Sequence, residues 1–318
     1  MSASPSDRLL HGAFRGMSRS SAVQTYFGRP YLRLNTWIWR RLPSSWRSER
    51  LLRGYGSHVH QLIQLRERTQ ATGTFFFRNR PELELLVRLL DQFPSGSTVN
   101  MTILGCSKGA EVYSFSYAVR TKRPDLNLRI CALDIAREVL QIGEAGTYPL
   151  DGKEPVKDLG FRSIFERMSS VEMEDLFEED GANARVRPRF RDGITWRLGD
   201  AGDLNLIEEL GPQDIVVANR FLCHMNPEAA EACLSNLARL VKSEGYLFVS
   251  GVDLAVRSKV AAEHSWRPVT DLIEEIHEGD PTLRRDWPLC YWGLEPLDRN
   301  RADWTVRYAS VFQLPGAQ

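Results

Sequence analysis

The alternation of short apolar runs with amphipathic segments between residues 98 and 251 limits the possible folds more than any other feature. The segments between the runs have helical spacing: one helix is predicted from residue 135 to Gly146, and another over 226–245, from Asn226-Pro227 to Gly245. Strands that alternate with helices pair in parallel, so the sequence predicts an α/β fold with a mostly parallel sheet. The apolar runs that predict its buried strands are TVNMTILG (98–105), LRICALD (128–134), ITWRLGD (194–200), QDIVVANR (213–220) and YLFVSG (246–251).

The two ends of the chain differ from this central region. WTVRYASVFQL (304–314) predicts a long terminal strand whose partner lies near 289–293, which gives an antiparallel hairpin at the sheet edge. A turn cluster at 94–97 marks a change in composition. We therefore predict an N-terminal helical, basic segment over 1–92 and a second domain over 93–318.

The first 70 residues contain twelve arginines, no lysine and three acids. With Trp37, Trp39 and Trp46 among the arginines, this arm could bind an acidic protein, nucleic acid or anionic lipid. The interpretation that we favour is an accessory helical lid whose tryptophans pack on the main domain.

Composition excludes several functional classes. Lysine plus arginine and aspartate plus glutamate are equal at 41 each, so nucleic acid is not an expected partner of the whole chain. The five cysteines form no C-x-x-C pair and the six histidines no ligand spacing, so no metal site is predicted. The N-terminus lacks the apolar core of a signal peptide, and no apolar run is long enough to span a membrane. A soluble, cytoplasmic protein is the expectation.

A glycine motif and an acid point to a bound nucleoside. Gly105 and Gly109 follow the first strand and open a helix, where they let the backbone approach a ligand. The spacing G-x-x-x-G differs from the dinucleotide pattern G-x-G-x-x-G and fits a cofactor without a pyrophosphate. Asp134 ends the second strand, where a carboxylate can accept hydrogen bonds from both ribose hydroxyls. A tight turn and a surface aspartate are the alternative interpretation.

Five motifs in order resemble the CheR family, the chemotaxis receptor methyltransferases that esterify glutamate side chains. The resemblance covers roughly 61–251 and implies a class I (Rossmann-like) methyltransferase with a seven-stranded sheet behind an N-terminal helical segment. It also implies S-adenosylmethionine as methyl donor and S-adenosylhomocysteine as product. The motifs are TFFFR (74–78), GCSKGAEVYS (105–114), ALDIAREVLQIGEAGTY (132–148), the segment at 196–201 and DIVVANR (214–220).

The resemblance also implies roles for single residues. Glu111 would hold the amino-acid end of the cofactor, Asp134 the ribose, and Asp200 with Ala201 the adenine. Arg78, Arg220 and His224 would be the catalytic residues of the methyl-transfer crevice. The cofactor site implied in full is Thr74, Arg78, Gly105, Cys106, Glu111, Asp134, Ile135, Asp200, Ala201 and Asn219.

The chain departs from the family pattern at three places. It has Ala110-Glu111 where the family has two acids, Asn219-Arg220 where the family has the reverse order, and His224-Met225 in place of an aromatic pair. The last two lie in the half of the site that would bind the acceptor.

Three functions remain open at this point. A sulfonium methyl group is already activated, so a carboxylate acceptor needs alignment and no base. The prediction is therefore methylation of a carboxylate oxygen, on a protein side chain or a small acid. One alternative is O- or N-methylation of a small molecule in a biosynthetic pathway, with His224 as the base. Another is a cofactor-binding regulator without catalysis. The sequence does not identify the acceptor.

Overall fold

The computed structural model describes residues 72–156, 160–279 and 295–315, together with 30–31, 34, 37–38 and 41–43. The chain divides into two compact units, residues 1–69 with 282–296 and residues 70–281 with 297–318. In the smaller unit the guanidinium of Arg41 lies over the ring of Trp37 at 4.1 Å. The larger unit contains all five motifs named above. The domain boundary between residues 92 and 93 stays a prediction.

Helices and strands alternate along the larger unit, with a group of short strands in the middle. In chain order the elements are α1 (Arg80–Leu90), β1 (Thr98–Leu104), α2 (Ala110–Lys122), β2 (Asn127–Asp134), α3 (Arg137–Ala145), β3 (Thr147–Pro149), β4 (Lys153–Val156), β5 (Gly160–Ser163), α4 (Ser170–Leu176), β6 (Phe177–Asp180), β7 (Asn183–Val186), α5 (Pro188–Arg191), β8 (Ile194–Leu198), α6 (Leu204–Leu210), β9 (Gln213–Val217), a 3-10 helix (Leu222–His224), α7 (Pro227–Ala238), β10 (Val241–Phe248), α8 (Leu254–Glu263), β11 (Arg267–Pro268), α9 (Ile273–Glu278), α10 (Trp304–Tyr308) and β12 (Val311–Gln313).

Seven strands form the main sheet in the order β11-β12-β10-β9-β1-β2-β8. β1 pairs in parallel with β2 and β9, β2 with β8, and β10 with β9, whereas β12 runs antiparallel to β10 and β11. The predicted seven-stranded, mostly parallel sheet with an antiparallel edge is confirmed. The chain leaves β1 in one direction and returns beside it with β9, so the strand order reverses between these two strands. In open α/β sheets ligands bind in the crevice at such a point.

The central strands are apolar because both faces of the sheet are covered there, whereas the edge strand β8 is only partly buried. In β9, Ile215 and Val217 belong to one hydrophobic cluster, and Val216, followed by Ala218, to the other. The first cluster includes residues of α1 and α2, and the second includes residues of α7 and α8. A strand buried on both faces loses the alternation of polar and apolar residues, which explains why continuous apolar runs located these strands correctly.

The helix predicted over 226–245 is shorter in the structure. Asn226 caps α7 as expected, since its side chain accepts a hydrogen bond from the backbone N–H of Ala229. The helix ends at Ala238, and β10 begins at Val241 with an irregular register before Tyr246. Gly245 lies in this irregularity, where a β-carbon would come within 2.9 Å of the carbonyl oxygen of Asp214. It therefore permits a close strand approach and does not terminate the helix.

The long terminal strand predicted over 304–314 is also wrong in its first half. Residues Trp304–Tyr308 form α10, and only Val311–Gln313 form a strand. Tyr308 is buried, with its ring 5.0 Å from that of His277. Tertiary packing of this aromatic side chain outweighs the β preference of the segment. The predicted partner near 289–293 lies outside the described residues, and β12 pairs with β10 and β11.

The short strands in the middle form two small antiparallel sheets, β3-β7-β6 and β4-β5. Phe76 joins them to the segment before α1, because its ring lies 5.2 Å from Tyr148, 5.7 Å from Phe165 and 5.2 Å from Phe177. Its backbone N–H also donates to the carbonyl of Ile164 at 3.1 Å. This aromatic packing holds residues 74–78 in place beside the main sheet.

The described part of the chain lacks two features. No helix in it is long and apolar enough to cross a membrane. No group of histidine, cysteine, aspartate and glutamate side chains in it is arranged to hold a metal ion.

Two glycines provide a matched test of how tightly this fold is packed at the start of α2. Gly109 has φ +83° and a β-carbon there would lie 2.6 Å from Cη2 of Trp196, whereas Gly96 has φ +80° and open space around it. Both alanine substitutions place an L-residue in the left-handed region, which lowers the free energy of unfolding by about 1–2 kcal/mol. Gly109→Ala should lower it by about 1–3 kcal/mol more, because the added methyl group overpacks against the indole of Trp196. Urea unfolding of both variants measures the difference, and equal losses would contradict the packing argument.

Candidate active site

Predicted site residues from separate motifs meet at one edge of the sheet. The carboxyl ends of the parallel strands all point to this edge, so the residues that follow them become neighbours. Gly105 follows β1, Asp134 ends β2, and Asp200, Asn219 and Ser250 come two residues after β8, β9 and β10. The backbone N–H of residue 199 donates to the carbonyl of Asp134 at 3.0 Å, which joins two of these ends directly.

The glycine loop is bonded to the end of β2. The backbone N–H of Cys106 donates to the carbonyl of Leu133 at 2.9 Å, and that of Ser107 to Oδ2 of Asp134 at 2.7 Å. Gly105 has φ +63°, and a β-carbon there would lie 2.8 Å from the side chain of Phe221. The loop is therefore fixed in a conformation that a larger residue at position 105 would disturb.

Asp134 holds the loop and keeps the capacity to bind a ligand. Its Oδ1 accepts from the backbone N–H of Ala136 at 2.9 Å, so each carboxylate oxygen has one backbone donor. An ionised carboxylate oxygen offers further lone pairs, and Asp134 is partly exposed. The next residue, Ile135, leaves 52% of its surface exposed beside this acid. An acid and an apolar side chain at this place suit a ribose and the ring attached to it.

The segment before α1 crosses the start of α2. Thr74 is buried, and the backbone N–H of Phe77 donates to Oγ of Ser114 at 2.9 Å. The hydroxyl of Ser107 donates to the carbonyl of Thr72 at 2.7 Å, which ties the same segment to the glycine loop. The TFFFR and GCSKGAE motifs, far apart in the sequence, therefore form one wall of the crevice.

A buried amide joins two carboxylates at the centre of the site. Nδ2 of Asn219 lies 3.2 Å from both carboxylate oxygens of Glu82 and 3.0 Å from Oε1 of Glu111. Its Oδ1 accepts a hydrogen bond from Oγ of Ser250 at 2.8 Å. Because the amide oxygen accepts from Ser250, the NH₂ group of Asn219 is directed towards the two acids.

Burial and mutual repulsion change the acidity of this pair. Burial, followed by the charge of Glu111, raises the pKa of Glu82 to about 8, while Arg220, Asn219 and Arg78 act in the opposite direction. Burial also raises the pKa of Glu111, against the same three residues. With a pKa of about 8, Glu82 favours its protonated form at neutral pH, although Arg78 and Arg220 lie close enough to lower that pKa.

The two arginines predicted to be catalytic act on this acid pair. Both Arg78 and Arg220 lower the pKa of Glu82 and of Glu111 by charge attraction. The guanidinium of Arg78 donates to the carbonyl of Gly73 at 3.1 Å and lies over the ring of Phe75 at 5.2 Å. The structure thus brings the predicted catalytic arginines to the residue predicted to hold the cofactor's amino-acid end.

Arg220 has a strained backbone that Gly251 accommodates. Its φ is +62°, which non-glycine residues rarely adopt, and its N–H donates to the carbonyl of Ser250 at 2.8 Å. A β-carbon on Gly251 would lie 2.7 Å from Cα of Arg220. Non-glycine residues in this region cluster at functional sites, where the surrounding structure holds them.

The other predicted residues lie at the same edge with fewer contacts among them. Asp200 is exposed and its Oδ1 accepts from the backbone N–H of residue 202 at 2.8 Å, and Ala201 is buried. His224 is half-buried and ends the 3-10 helix that follows Arg220. The contact of Asp200 and Ala201 with adenine and the action of His224 as a base stay predictions.

The sequence analysis missed three residues of the site. Ser114 and Ser250 position other groups by hydrogen bonds, and Glu82 is one of the two buried acids. Glu82 lies in the first turn of α1, where an acid commonly interacts with the helix dipole in solvent. The sequence therefore offers no signal that this side chain is buried.

Glu82 should make stability depend on pH. The folded state binds a proton at Glu82 up to about pH 8, whereas an unfolded glutamate releases it near pH 4.5. The stabilisation is complete below pH 4.5 and is lost as pH rises towards 8, by at most about 1.4 kcal/mol per pH unit. Glu82→Gln should flatten this decline, because glutamine mimics the protonated acid.

Urea unfolding at pH 5, 6, 7 and 8 measures the effect. The matched control is Glu84→Gln, an exposed glutamate on the same helix that pairs with Arg88. It should leave the pH dependence of the wild type intact. Identical pH profiles for the wild type and Glu82→Gln would show that Glu82 ionises normally in the folded protein.

Comparison with known proteins gives one curated relative and several solved structures. The relative is an uncharacterized 104.1 kDa protein of Rhodobacter capsulatus, 25% identical over 252 residues, which are 71% of this chain and 25% of that protein. The chain thus spans about a quarter of the curated relative that it matches.

Two of the solved structures are methyltransferases that match at low identity. The magnesium protoporphyrin IX methyltransferase of Synechocystis PCC 6803 with bound S-adenosylmethionine is 14% identical, with 60% of this chain and 70% of that chain covered and a TM-score of 0.35. An amino pentose methyltransferase of Micromonospora echinaspora is 13% identical, with 53% and 48% covered and a TM-score of 0.30.

The family itself is identified by a model of the S-adenosylmethionine-binding domain of CheR methyltransferases. This model matches residues 72–263, which include both acids, both arginines, the glycine loop and Asn219. The match covers more than half of the chain. The chain therefore belongs to the CheR methyltransferase family, and the match lies in the S-adenosylmethionine-binding domain of that family.

Proposed function

We propose that this methyltransferase transfers the methyl group to a carboxylate oxygen, on a protein side chain or a small acid. The observation that carries the proposal is the convergence of two arginines: Arg78 and Arg220 both act on the charge of Glu111 at the crevice. Planar guanidinium groups bind carboxylates through paired hydrogen bonds. A negatively charged acceptor entering beside the cofactor would meet these two cations.

The residues present fit S-adenosylmethionine. Asp134 has lone pairs left for ribose hydroxyls, and Glu111 offers a half-buried carboxylate to the ammonium group of the amino-acid end. Gly105 and Gly109 let the loop that leads to Glu111 pack closely against Phe221 and Trp196. When bound, the cofactor supplies a sulfonium methyl group that is already activated for transfer.

The chemistry then asks the chain for alignment, not for proton transfer. Transfer of this methyl group to a carboxylate oxygen would take no proton from the acceptor, so the chain would not have to supply a base. Arg78 and Arg220 would orient the acceptor, and the segment 74–78 would limit access of water. The ester product is neutral, so it loses its charge attraction to the arginines, which favours release.

Asp134 provides a test of the cofactor site. Asp134→Asn removes the charge that would bind two ribose hydroxyls, so affinity for S-adenosylhomocysteine should fall roughly 10–100-fold, as expected for loss of a charged hydrogen bond. The matched control is Asp214→Asn. Asp214 also accepts a hydrogen bond from a backbone N–H, that of Asn100 at 2.8 Å. It lies near the start of β9, away from the carboxyl ends of the parallel strands. Asp214→Asn should be less stable than the wild type but should bind S-adenosylhomocysteine with the same affinity in calorimetric titration. Equal losses of affinity in the two variants would contradict the role of Asp134 in ribose binding.

The acceptor class is tested by the chemistry of the product. Labelled S-adenosylmethionine is incubated with acidic peptides, small carboxylic acids, phenols and amines. A methyl ester releases methanol in alkali, whereas methyl ethers and methylamines are stable. We expect an alkali-labile product, a loss of roughly 10–100-fold in kcat/KM for Arg220→Ala, and a smaller loss for Arg220→Lys.

The controls separate the competing functions. Arg239→Ala changes an exposed arginine that pairs with Glu208 and should keep full activity. His224→Ala should also keep activity on a carboxylate. An alkali-stable product together with loss of activity in His224→Ala would favour the histidine base and small-molecule methylation. Cofactor binding without transfer to any acceptor class would favour the non-catalytic regulator.

A further inference from the structure

Glu82 shares the amide of Asn219 with Glu111, the residue that the family resemblance assigns to the amino-acid end of the cofactor. None of the five motifs includes Glu82. Glu111 is the only acid in α2, and the residue before it, Ala110, is fully buried. Glu82 comes from a different helix, α1, and its carboxylate reaches the same NH₂ group of Asn219 that Glu111 contacts. The two acids therefore face one point in the crevice from two helices.

The neutral amide of Asn219 satisfies only part of the hydrogen-bonding capacity of Glu82 and Glu111. One NH₂ group has two hydrogens and is shared among three carboxylate oxygens at 3.0–3.2 Å. Glu82 is almost fully enclosed, so water compensates it little. An ammonium group has three N–H donors, which matches the hydrogen-bonding capacity of the two acids that the single amide leaves unmet, and its positive charge strengthens such hydrogen bonds.

We infer that Glu82 and Glu111 together bind the ammonium group of the amino-acid end of S-adenosylmethionine, and that this group replaces the proton on Glu82. The family match over residues 72–263 shows independently that this domain binds a ligand carrying such a group. Glu82 is thus a cofactor-binding residue that this chain supplies from α1. The inference concerns the cofactor and is independent of which acceptor is methylated.

The neighbouring charges are consistent with this exchange. Arg78 and Arg220 both favour ionised acids without removing the effect of burial. Burial, with the charges of Asp134 and Glu111, raises the pKa of the neighbouring Cys106 thiol, so this group adds no charge near neutral pH. Entry of a further cation lets Glu82 ionise, so a proton leaves as the ammonium enters. Binding should therefore release protons near neutral pH, and affinity should rise with pH until the ligand's own ammonium begins to lose its proton.

Two ligands separate the ammonium contact from the remainder of the site. S-adenosylhomocysteine carries the amino-acid end, whereas 5′-methylthioadenosine has the adenosine and the thioether without it. Calorimetric titration of the full chain at pH 6, 7 and 8, in buffers of different ionisation enthalpy, gives both the affinity and the number of protons released. No acceptor is present, so a failure here is distinct from a failure of the proposed carboxylate methylation.

Glu82→Gln should weaken S-adenosylhomocysteine binding roughly 10–100-fold at pH 7.5, as expected for a hydrogen bond to a charged group. It should leave methylthioadenosine affinity unchanged and abolish proton release. Glu82→Asp keeps the charge and should lose less, and Glu84→Gln on the same helix should behave as wild type.

Three results would overturn the inference. Glu82→Gln could bind S-adenosylhomocysteine as tightly as the wild type, or it could lose both ligands equally, which would show a structural role. The third result needs no variant: binding of S-adenosylhomocysteine to the wild type at pH 7 with no release of protons would exclude the exchange.

Discussion

Asn219 is the residue on which the geometry of the site depends, because its single amide group is bonded to three other segments. Its nitrogen faces Glu82 from α1 and Glu111 from α2, and its oxygen accepts from Ser250 after β10. The amide cannot rotate without exchanging a donor for an acceptor against two acids. Its orientation is therefore determined, and with it the position of both helices relative to the end of β9.

Backbone strain next to Asn219 serves the same arrangement. The chain turns at Arg220 through a left-handed conformation, and the backbone of Gly251 approaches so closely that a side chain there would collide. A residue in the usual β conformation would continue β9 and carry its side chain elsewhere. Gly251, which follows β10, thus permits Arg220, which follows β9, to lie at the crevice. The packing of the buried sheet around it offsets the energetic cost of the left-handed backbone.

The sequence predicted the buried centre of the fold well and its periphery less well. Strands such as QDIVV are covered on both faces, so their apolar character is visible without any knowledge of their neighbours. The segment from Trp304 forms a helix because Tyr308 packs against His277, a partner that the local pattern does not reveal. Gly245 resembled a helix terminator, yet it allows close approach of the carbonyl of Asp214.

The same distinction applies to the site. Glycines and acids at strand ends could be located from the sequence, because parallel strands bring those positions to one edge. Glu82 could not, since an acid in the first turn of a helix is ordinary and only the fold places Asn219 and Glu111 opposite it. Long-range juxtaposition, not residue type, makes Glu82 unusual.

The balance of charge links the two halves of the crevice. Arg78 and Arg220 act on both acids, and burial favours a proton on Glu82. If an ammonium enters as that proton leaves, one positive charge replaces another, and the net charge of this group of side chains with its ligand does not change. The acids therefore compensate the ammonium completely, and the attraction of Arg78 and Arg220 for a carboxylate acceptor is preserved when the amino-acid end is in place. A single acid in this position would leave an additional positive charge buried, and the desolvation of that charge would oppose binding. The second acid on α1 thus allows one crevice to hold a cationic group of the cofactor and to attract an anionic acceptor at the same time.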